Sequence, residues 1–255
     1  MRQAMYFIKL FKVYPTDARE DTASLMEEFR RYEALFKDSE KNFEVILASY
    51  SSEFKWLISK IYNGAFESVD VELYYSMIRR YRPNLIIEVG SGYSTYFALD
   101  AVKKNGVGHI ISIDPEPRRS LPKVIEHIQS KVEDVDKNLF KRLFENDVLF
   151  IDSSHTTKEA EYHVDEILPN LRKGVIIHHH DFLFPYAIYY RNDPTIFGEP
   201  DVLLNFYWRN KQLYDVIVCA SYVRYKNLKL IRRLVNSYRW DPTRLPGSFW
   251  IRKIK

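Results

Sequence analysis

The sequence predicts an α/β fold in which a doubly wound, mostly parallel sheet is covered by helices on both faces. From residue 84 onward, short β-rich runs alternate with helical segments, which is the pattern of strand–helix–strand units. The main runs are apolar throughout, as expected for strands buried on both faces. A glycine pair, Gly90 and Gly92, joins the first run to a helix, where sheets of this class bind ligands.

The first 80 residues predict helix rather than strand. Over residues 18–62, apolar side chains recur at three- and four-residue steps, at Leu25, Met26, Phe29, Tyr32, Leu35 and Phe36. A second helix over 71–81 ends before Pro83, because the residue that precedes a proline leaves the helical region. We therefore expect an N-terminal helical cap, 1–80, in front of the sheet domain, 81–255.

The strands of the sheet domain are predicted from its apolar runs. They cover 85–89, 109–113, 148–151, 175–177, 216–222 and 248–254, and a weakly marked strand is expected near 132–134. A helix from 95 to 104 stops at Asn105-Gly106. The helix after the run at 148–151 presents one apolar face, formed by Ala160, Val164, Ile167, Leu168 and Leu171.

The composition excludes several classes of protein. The 255 residues are 46% hydrophobic and 28% charged, which argues against disorder. The single cysteine, Cys219, excludes an intrachain disulfide framework and a cysteine-rich zinc site. No apolar run approaches the roughly 18 residues that span a bilayer. The N-terminal apolar stretch contains Lys9 and Lys12 and lacks a cleavage site, so a cytoplasmic protein is expected.

Positive charge is concentrated near the C-terminus. The chain carries a net +4, but residues 224–255 alone hold ten basic side chains against Asp241. Such a stretch forms either a solvated face or a surface for an anionic partner, such as a lipid headgroup, a nucleotide-linked sugar or nucleic acid.

The glycine loop reads E-V-G-S-G-Y-S-T over 88–95. Its glycines allow a tight turn and close approach of a ligand, and the helix that follows offers free N–H groups. A dinucleotide fingerprint needs glycine or alanine where Thr95 stands. Asp114 ends the next strand, 24 residues after Gly90, near the offset at which an acid binds ribose hydroxyls. An ordinary turn and a turn-stabilising aspartate remain alternatives.

A second polar constellation follows two later strands. D-S-S-H (152–155) and H-H-H-D (178–181) both stand at carboxyl ends, where ligands bind in parallel sheets. Because side chains alternate along a strand, His178 and His180 should share a face and His179 should point away. Converging carboxylates and imidazoles suit a divalent metal or a general base. Individually buried core histidines are the alternative.

The segments IIEVGSGYST (86–95) and ISIDPEP (111–117) resemble class I S-adenosylmethionine-dependent methyltransferases. The resemblance implies a Rossmann-like sheet with an antiparallel last strand. It implies that the glycine loop passes under the methionine and ribose, that Glu88 lies near the amino end, and that Asp114 binds the ribose. Adenine should lie near 132–134. The expected cofactor contacts are Glu88, Gly90, Ser91, Gly92, Tyr93, Ser94, Thr95, Asp114, Pro115, Glu133 and Asp152.

The pattern FIDSSHT…LPNLRKGVIIHHHDFLFPY (150–186) looks like a narrower group, the sugar and polysaccharide-associated O-methyltransferases. The resemblance continues through EPDVLLNFYW (199–208), YDVIVCASYV (214–223) and GSFWIRK (247–253). It implies methylation of a sugar, a glycan or a sugar-containing small molecule. Asp152 and Asp181, with His180 beside them, become candidates for Mg²⁺ or another divalent metal. A metal-free mechanism stays open, with His155, His180 and Asp152 as catalytic residues.

Other readings remain. They are a nicotinamide-dependent oxidoreductase, a metal hydrolase, and a nucleic-acid-binding protein that stacks bases on aromatic side chains of 222–250; nucleic acid is the less favoured partner. Residues 224–255 could instead contact a membrane or an anionic acceptor, and a homo-oligomer is also open. The aromatic segment 182–200 is either a substrate lid or a loop packed on the sheet. Its aromatic residues are Phe182, Phe184, Tyr186, Tyr189, Tyr190 and Phe197.

Overall fold

The computed structural model describes residues 22–56, 63–187, 194–239 and 244–255, and its centre is one twisted sheet. The strands are β1 (Leu85–Val89), β2 (His109–Ile113), β3 (Glu126–Ile128), β4 (Val148–Ile151), β5 (Ile176–His179), β6 (Tyr214–Cys219) and β7 (Phe249–Lys253). Their order is β3-β2-β1-β4-β5-β7-β6. β7 runs antiparallel to β5 and β6, and the other pairs are parallel. The predicted fold class, including the antiparallel last strand, is confirmed.

Helices cover both faces of this sheet. They are α1 (Thr22–Glu33), α2 (Ser39–Tyr50), α3 (Asp70–Tyr81), α4 (Tyr93–Asn105), α5 (Thr157–Tyr162), α6 (Pro194–Arg209), α7 (Ala220–Lys226) and α8 (Leu228–Leu234), with shorter 3₁₀ turns between them. None of the helices in the described ranges is both long and apolar enough to cross a bilayer.

The helical region predicted over 18–62 is confirmed within the described residues, although it is divided into two α-helices. α1 and α2 are separate and are joined by a 3₁₀ turn at Ala34–Phe36; residues 18–21 and 57–62 lie outside the description. Phe36 packs in the core on one face of the sheet, and Phe43 packs in the core on the other. A single straight helix cannot reach both faces, so the chain breaks where it passes the sheet edge.

This crossing also covers the edge strand β6. The Asn42 side-chain amide donates to the Ile217 carbonyl at 2.9 Å, and the Ser39 hydroxyl accepts from the Cys219 N–H at 3.2 Å. Side chains that satisfy an exposed strand edge prevent unwanted pairing with other chains. The N-terminal helices therefore complete the sheet, while the domain boundary at residue 80 stays a prediction.

Several predicted boundaries shift. The third strand is β3 at Glu126–Ile128, whereas Val132–Asp134 forms a 3₁₀ turn. β3 is a partly exposed edge strand, so it lacks the apolar run that marks a buried strand. The strand predicted over 216–222 ends at Cys219, where α7 begins.

Three helices have the predicted positions, although one is irregular. α3 and α4 lie within one or two residues of their predicted bounds. α4 ends at Gly106, which has a left-handed φ of 68°, the conformation that favours glycine at a helix end. The helix after β4 is α5 followed by a π-helical turn, His163–Ile167, and a 3₁₀ turn, Leu168–Asn170. A π-helical turn of this kind is often found at functional sites.

Candidate active site

A cleft of about 810 Å³ opens at the carboxyl ends of the parallel strands. This volume is typical of small-molecule sites. Its lining brings the two predicted constellations together: Gly90, Ser91, Gly92, Tyr93, Ser94, Asp114, Pro115 and Glu133 on the loop side, and Asp152, His180 and Asp181 on the other. The predicted site residues Glu88, Thr95 and His155 are not part of the lining.

Gly90 sits where the glycine loop touches the end of β4. Its φ is +85°, and a Cβ atom at this position would lie 1.8 Å from the Asp152 carbonyl oxygen. The Asp152 N–H donates to the Val89 carbonyl at 2.8 Å. Glycine is therefore required here for two reasons, the left-handed backbone and the close approach. The contact ties the glycine loop to the strand end that carries Asp152.

Asp114 fixes the same loop from β2. Its Oδ2 accepts from the Ser91 N–H at 2.8 Å and from the Ser91 hydroxyl at 3.1 Å, and its Oδ1 accepts from the Glu116 N–H at 2.8 Å. A carboxylate has about four acceptor positions. Three of these positions are occupied by the hydrogen bonds above, so one remains on this cleft-lining side chain for a ligand.

Glu88 lies beneath the loop and is fully buried. The Tyr74 hydroxyl donates to its Oε1 at 2.9 Å, while Oε2 has no hydrogen-bond partner. Burial raises the pKa of Glu88 to about 7, against the opposing effect of the Thr95 and Tyr74 hydroxyls. Thr95 also accepts from the Gly92 N–H at 3.2 Å. Both residues therefore act on the loop from behind, and a direct contact between Glu88 and a cofactor stays a prediction.

Asp152, His155 and Asp181 meet at the opposite wall of the cleft. His155 Nε2 lies 3.3 Å from Asp152 Oδ1 and 3.6 Å from Asp181 Oδ2, yet makes no hydrogen bond of good geometry. One ligand atom of each residue lies within 4.8 Å of the others, a spacing that could hold a metal ion. His155 and Asp181 have left-handed φ values of 55° and 54°, a strained conformation that often accompanies functional sites.

The imidazole of His155 lies among carboxylates. Burial disfavours the charged ring, but the charges of Glu199, Asp152 and Asp181 outweigh it and hold the pKa of His155 well above its usual range. Burial also raises the pKa of Asp152, but the attraction of His180 and His155 lowers it to about 2. The electrostatics of the cluster therefore favour the ionised carboxylate of Asp152 and the protonated ring of His155.

The three consecutive histidines alternate as predicted. His178 and His180 share a face, with ring centroids 5.6 Å apart. His179 points to the other face, where its Nε2 lies 2.8 Å from the Tyr207 hydroxyl. His180 packs on Phe66 and its Nε2 lies 3.6 Å from Asp181 Oδ1. His180 thus borders the cluster, whereas His155 supplies the nitrogen between the two aspartates.

Sequence reasoning missed several residues of the site. Glu199 on α6 contacts His155 Nδ1 at 2.9 Å. Gly64, Ala65 and Phe66 line the cleft, as do Arg118, Glu159 and Arg244. Glu199 opens the quoted segment EPDVLLNFYW, which is the one sequence signal that marks it. Arg118 and Glu159 follow the ends of β2 and β4 within a few residues, but no motif singles them out, and the other residues are not near a strand end of the parallel sheet.

The aromatic segment after β5 packs into the core. Phe182 stacks on Phe249 with centroids 4.2 Å apart, and Phe184 stacks on Phe36 at 4.6 Å. Both phenylalanines are buried, so of the two alternatives given for this segment the loop packed on the sheet describes them, and the substrate lid does not. Tyr189 and Tyr190 lie outside the described residues, as does the side chain of Phe197.

The basic stretch 224–255 is largely paired within the molecule. Among the side chains that the structure describes there, six basic ones have internal hydrogen-bond partners, namely Arg224, Lys226, Arg233, Arg244, Arg252 and Lys253. Lys226 and Arg233 pair with Glu33 and Glu44 of the N-terminal helices. A docking role for this stretch stays a prediction.

Comparison with known proteins gives one family match. Residues 87–182 match the family described as a methyltransferase domain. The matched range contains the glycine loop, Asp114 and both polar strand ends, and it supports the predicted methyltransferase. An uncharacterized protein of Archaeoglobus fulgidus is 41% identical over 92 residues, which cover 33% of this chain and 42% of that protein. The chain thus spans less than half of the length of this curated relative.

Three solved structures resemble the chain at low identity. The SAH-bound methyltransferase PaMTH1 of Podospora anserina is 16% identical, with 82% of this chain and 88% of that one covered and a TM-score of 0.44. The SAM complex of the O-methyltransferase TomG from Streptomyces achromogenes, involved in tomaymycin synthesis, is 14% identical, with 82% and 89% covered and a TM-score of 0.46. The SAH complex of a Bacillus cereus O-methyltransferase is 13% identical, with 90% and 97% covered and a TM-score of 0.47.

Proposed function

We propose that the chain is an S-adenosylmethionine-dependent O-methyltransferase that acts on a sugar, a glycan or a sugar-containing small molecule. One observation carries the proposal: a single cleft is lined by the glycine loop and Asp114 on one side and by Asp152 and Asp181, which flank His155, on the other. The first group suits a nucleoside-bearing cofactor, and the second suits the activation of a hydroxyl group. The methyltransferase-domain match over the same residues adds independent support.

The residues of the loop side fit the cofactor. Gly92 opens α4 and lines the cleft, and a Cβ atom there would meet no atom nearer than Arg118 Cβ at 4.0 Å. The loop therefore leaves room for a ligand above the helix N-terminus. In this proposal Asp114 accepts hydrogen bonds from the ribose hydroxyls, and Glu133 borders the base. When bound, S-adenosylmethionine supplies a methyl group on an electron-poor sulfonium.

The residues of the opposite wall fit either a divalent cation or a proton. The buried Nε2 of His155 lacks a hydrogen-bond partner and faces two carboxylates, which is a donor set that divalent metals accept. Asp152, His155 and Asp181 would hold the ion, and such an ion supplies Lewis acidity that favours deprotonation of a hydroxyl. Without it, the raised pKa keeps the His155 ring charged between Asp152 and Asp181, so Nε2 could take the proton of the acceptor hydroxyl only in the neutral form of the ring.

The acceptor class rests on the resemblance of residues 150–186 to sugar-associated methyltransferases, and the polar wall of the cleft is compatible with it. Arg118, Lys131, Lys158 and Arg244 also line the cleft. These cations suit an acceptor that carries an anionic group in addition to the hydroxyl.

Two observations weigh against the rival functions. The dinucleotide-binding sheet has the order 3-2-1-4-5-6, whereas here an antiparallel β7 lies between β5 and β6. For a nucleic-acid-binding protein, bases would stack on exposed aromatic rings, but Tyr222, Tyr238 and Trp250 are buried, and Tyr225 is the exposed ring among the described candidates. Trp240 lies outside the described residues.

Methyl transfer tests the proposal directly. Labelled S-adenosylmethionine is incubated with the protein and a panel of free and nucleotide-linked sugars, with and without Mg²⁺. Label should enter at least one sugar with the parent protein and with Asp165→Asn, an exposed control, and should fall at least a hundredfold with Asp152→Asn or Asp181→Asn. Transfer that survives both active-site substitutions would mean that the reaction occurs elsewhere.

A further inference from the structure

We infer that Glu199 is a positioning residue that holds the His155 ring with Nε2 turned toward Asp152 and Asp181. The catalytic consequence of this contact rests on the proposed function, whereas the orientation of the ring by Glu199 does not. It assigns a role to α6, which follows the polar strand ends in sequence. Within the described residues, α6 has no other hydrogen bond or ion pair with the cluster.

The contact itself is short and shielded. Glu199 Oε2 lies 2.9 Å from His155 Nδ1, and the Glu199 side chain is only 11% exposed. Because a carboxylate only accepts hydrogen bonds, the ring nitrogen opposite it must be the donor. A hydrogen bond to an ionised acceptor is about twice as strong as a neutral one. The pair therefore fixes both the ring plane and the position of one proton.

The position of the other ring nitrogen, Nε2, shows the consequence of this hydrogen bond. With Nδ1 committed to Glu199, Nε2 is the nitrogen that remains for Asp152 and Asp181, at 3.3 and 3.6 Å. His155 also sits in a turn with a left-handed φ of 55°, outside the regular strand that would otherwise orient its side chain. A carboxylate behind the distal nitrogen is the usual way in which a catalytic or metal-binding histidine is oriented.

Glu199 is carried by a well-anchored element. Further along α6, Leu203 and Leu204 are buried in the core, and the Tyr207 hydroxyl lies 2.8 Å from His179 Nε2. Gly198 lets the helix approach α5, because a Cβ atom at this position would lie 2.2 Å from Thr157 Oγ1. A carboxylate on such a support orients its partner more sharply than one on a loop.

The decisive measurement is the NMR signal of the His155 Nδ1 proton in ¹⁵N-histidine-labelled full-length protein without added metal. We expect a downfield proton, protected from exchange with water, that is assigned by its loss in His155→Asn. It should persist in Asp201→Asn, a matched control on α6 whose carboxylate accepts from Asn205 instead. It should persist in weakened form in Glu199→Gln, which keeps an acceptor oxygen, and vanish in Glu199→Ala.

A second readout measures the consequence for the cluster. Mn²⁺ binding, followed by electron paramagnetic resonance, should weaken about 10- to 100-fold in Glu199→Ala, the usual cost of losing the partner behind a metal-binding histidine. The Asp201→Asn control should bind as the parent does. S-adenosylhomocysteine affinity should be the same in all variants, because Glu199 does not line the cleft.

The outcomes separate this inference from the proposed function. If the Nδ1 proton is absent in the parent, or survives in Glu199→Ala, the inference is overturned whatever the protein binds. Equal Mn²⁺ affinity in the parent and Glu199→Ala also overturns it. If the parent binds neither Mn²⁺ nor S-adenosylhomocysteine, the proposed function fails, while the imidazole proton still decides whether Glu199 positions His155.

Discussion

The Asp70 carboxylate, fully buried at the start of α3, accepts hydrogen bonds from the Gly247 N–H at 3.1 Å and from the Ser248 N–H at 2.9 Å. Gly247 in turn packs against Asp181: a Cβ atom at 247 would lie 2.7 Å from the Asp181 nitrogen. The Phe182 N–H donates to the Gly247 carbonyl at 3.0 Å. The N-terminal helices thus hold the turn that presents Asp181 to the cleft.

Replacing Asp70 with alanine tests this support. The change leaves the Gly247 and Ser248 N–H groups buried without an acceptor, which costs about 1–3 kcal/mol for each unsatisfied group. We expect urea unfolding to show a loss of about 2–4 kcal/mol in the free energy of unfolding. Glu161→Gln, an exposed change on α5, should stay within about 0.5 kcal/mol. Equal stability of the two variants would contradict a structural role for Asp70.

Gly90→Ala should destabilise the protein more than its backbone conformation alone explains. The left-handed φ of +85° costs about 1–2 kcal/mol for alanine, and the approach to the Asp152 carbonyl adds a clash. Gly106→Ala is the matched control, because its φ is +68° and no atom lies within 4 Å of the added methyl group. Denaturant unfolding should show a larger loss at position 90. Similar losses of stability at both positions would mean that the backbone at the end of β4 shifts at little cost to admit the methyl group.

Glu72 gives a pH-dependent prediction. Burial raises its pKa to about 7, although Ser237 and the Val69 N–H oppose this by hydrogen bonding. The unfolded chain ionises near its ordinary pKa of 4.5, so the folded state loses stability as pH rises from about 4.5 to 7. Glu72→Gln removes this penalty. Its free energy of unfolding relative to the parent should rise by about 2–3 kcal/mol between pH 5 and pH 8.

The measurement for Glu72→Gln is urea unfolding of both proteins at several pH values, with the difference plotted against pH. Taking the difference cancels the titrating groups that do not interact with Glu72. Asp70 is an exception, because its charge also raises the pKa of Glu72. A difference that is independent of pH would show that Glu72 titrates alike in the folded and unfolded chains.

The sequence predicted the parts of the fold that have a local signature. β1, β2, β4 and β5 are buried on both faces and therefore appear as apolar runs, whereas β3 is a partly exposed edge strand and does not. The break between α1 and α2 also has no local signal, because it depends on where the edge strand β6 lies. Strand-end motifs placed Asp152 and Asp181 correctly beside one another, since parallel strands end at one edge of the sheet.

The parts of the site that the sequence missed depend on partners distant in the chain. Glu199 meets His155 across 44 positions, and although it opens the segment EPDVLLNFYW, that segment does not indicate which residue it contacts. The internal pairing of the basic stretch was missed for the same reason. A count of charges includes Lys226 and Arg233 but does not reveal that Glu33 and Glu44 pair with them.

Asp114 gives a prediction for the cofactor side. Asp114→Asn loses the charged acceptor that we expect to bind the ribose hydroxyls, so S-adenosylhomocysteine affinity measured by isothermal titration should fall by about tenfold or more, as for a hydrogen bond to a charged group. Asp165→Asn, a change at an exposed residue that does not line the cleft, is the control. Unchanged affinity in Asp114→Asn would place the ribose elsewhere.

Thermal unfolding of the parent protein with S-adenosylhomocysteine and, separately, with NAD tests the central claim most directly. At a ligand concentration of about 100 times Kd, binding adds about 2.7 kcal/mol, which corresponds to a rise in Tm of roughly 5–10 °C for a chain of this size. We predict this rise with S-adenosylhomocysteine and no shift with NAD. A shift with NAD and none with S-adenosylhomocysteine would contradict the account and favour an oxidoreductase.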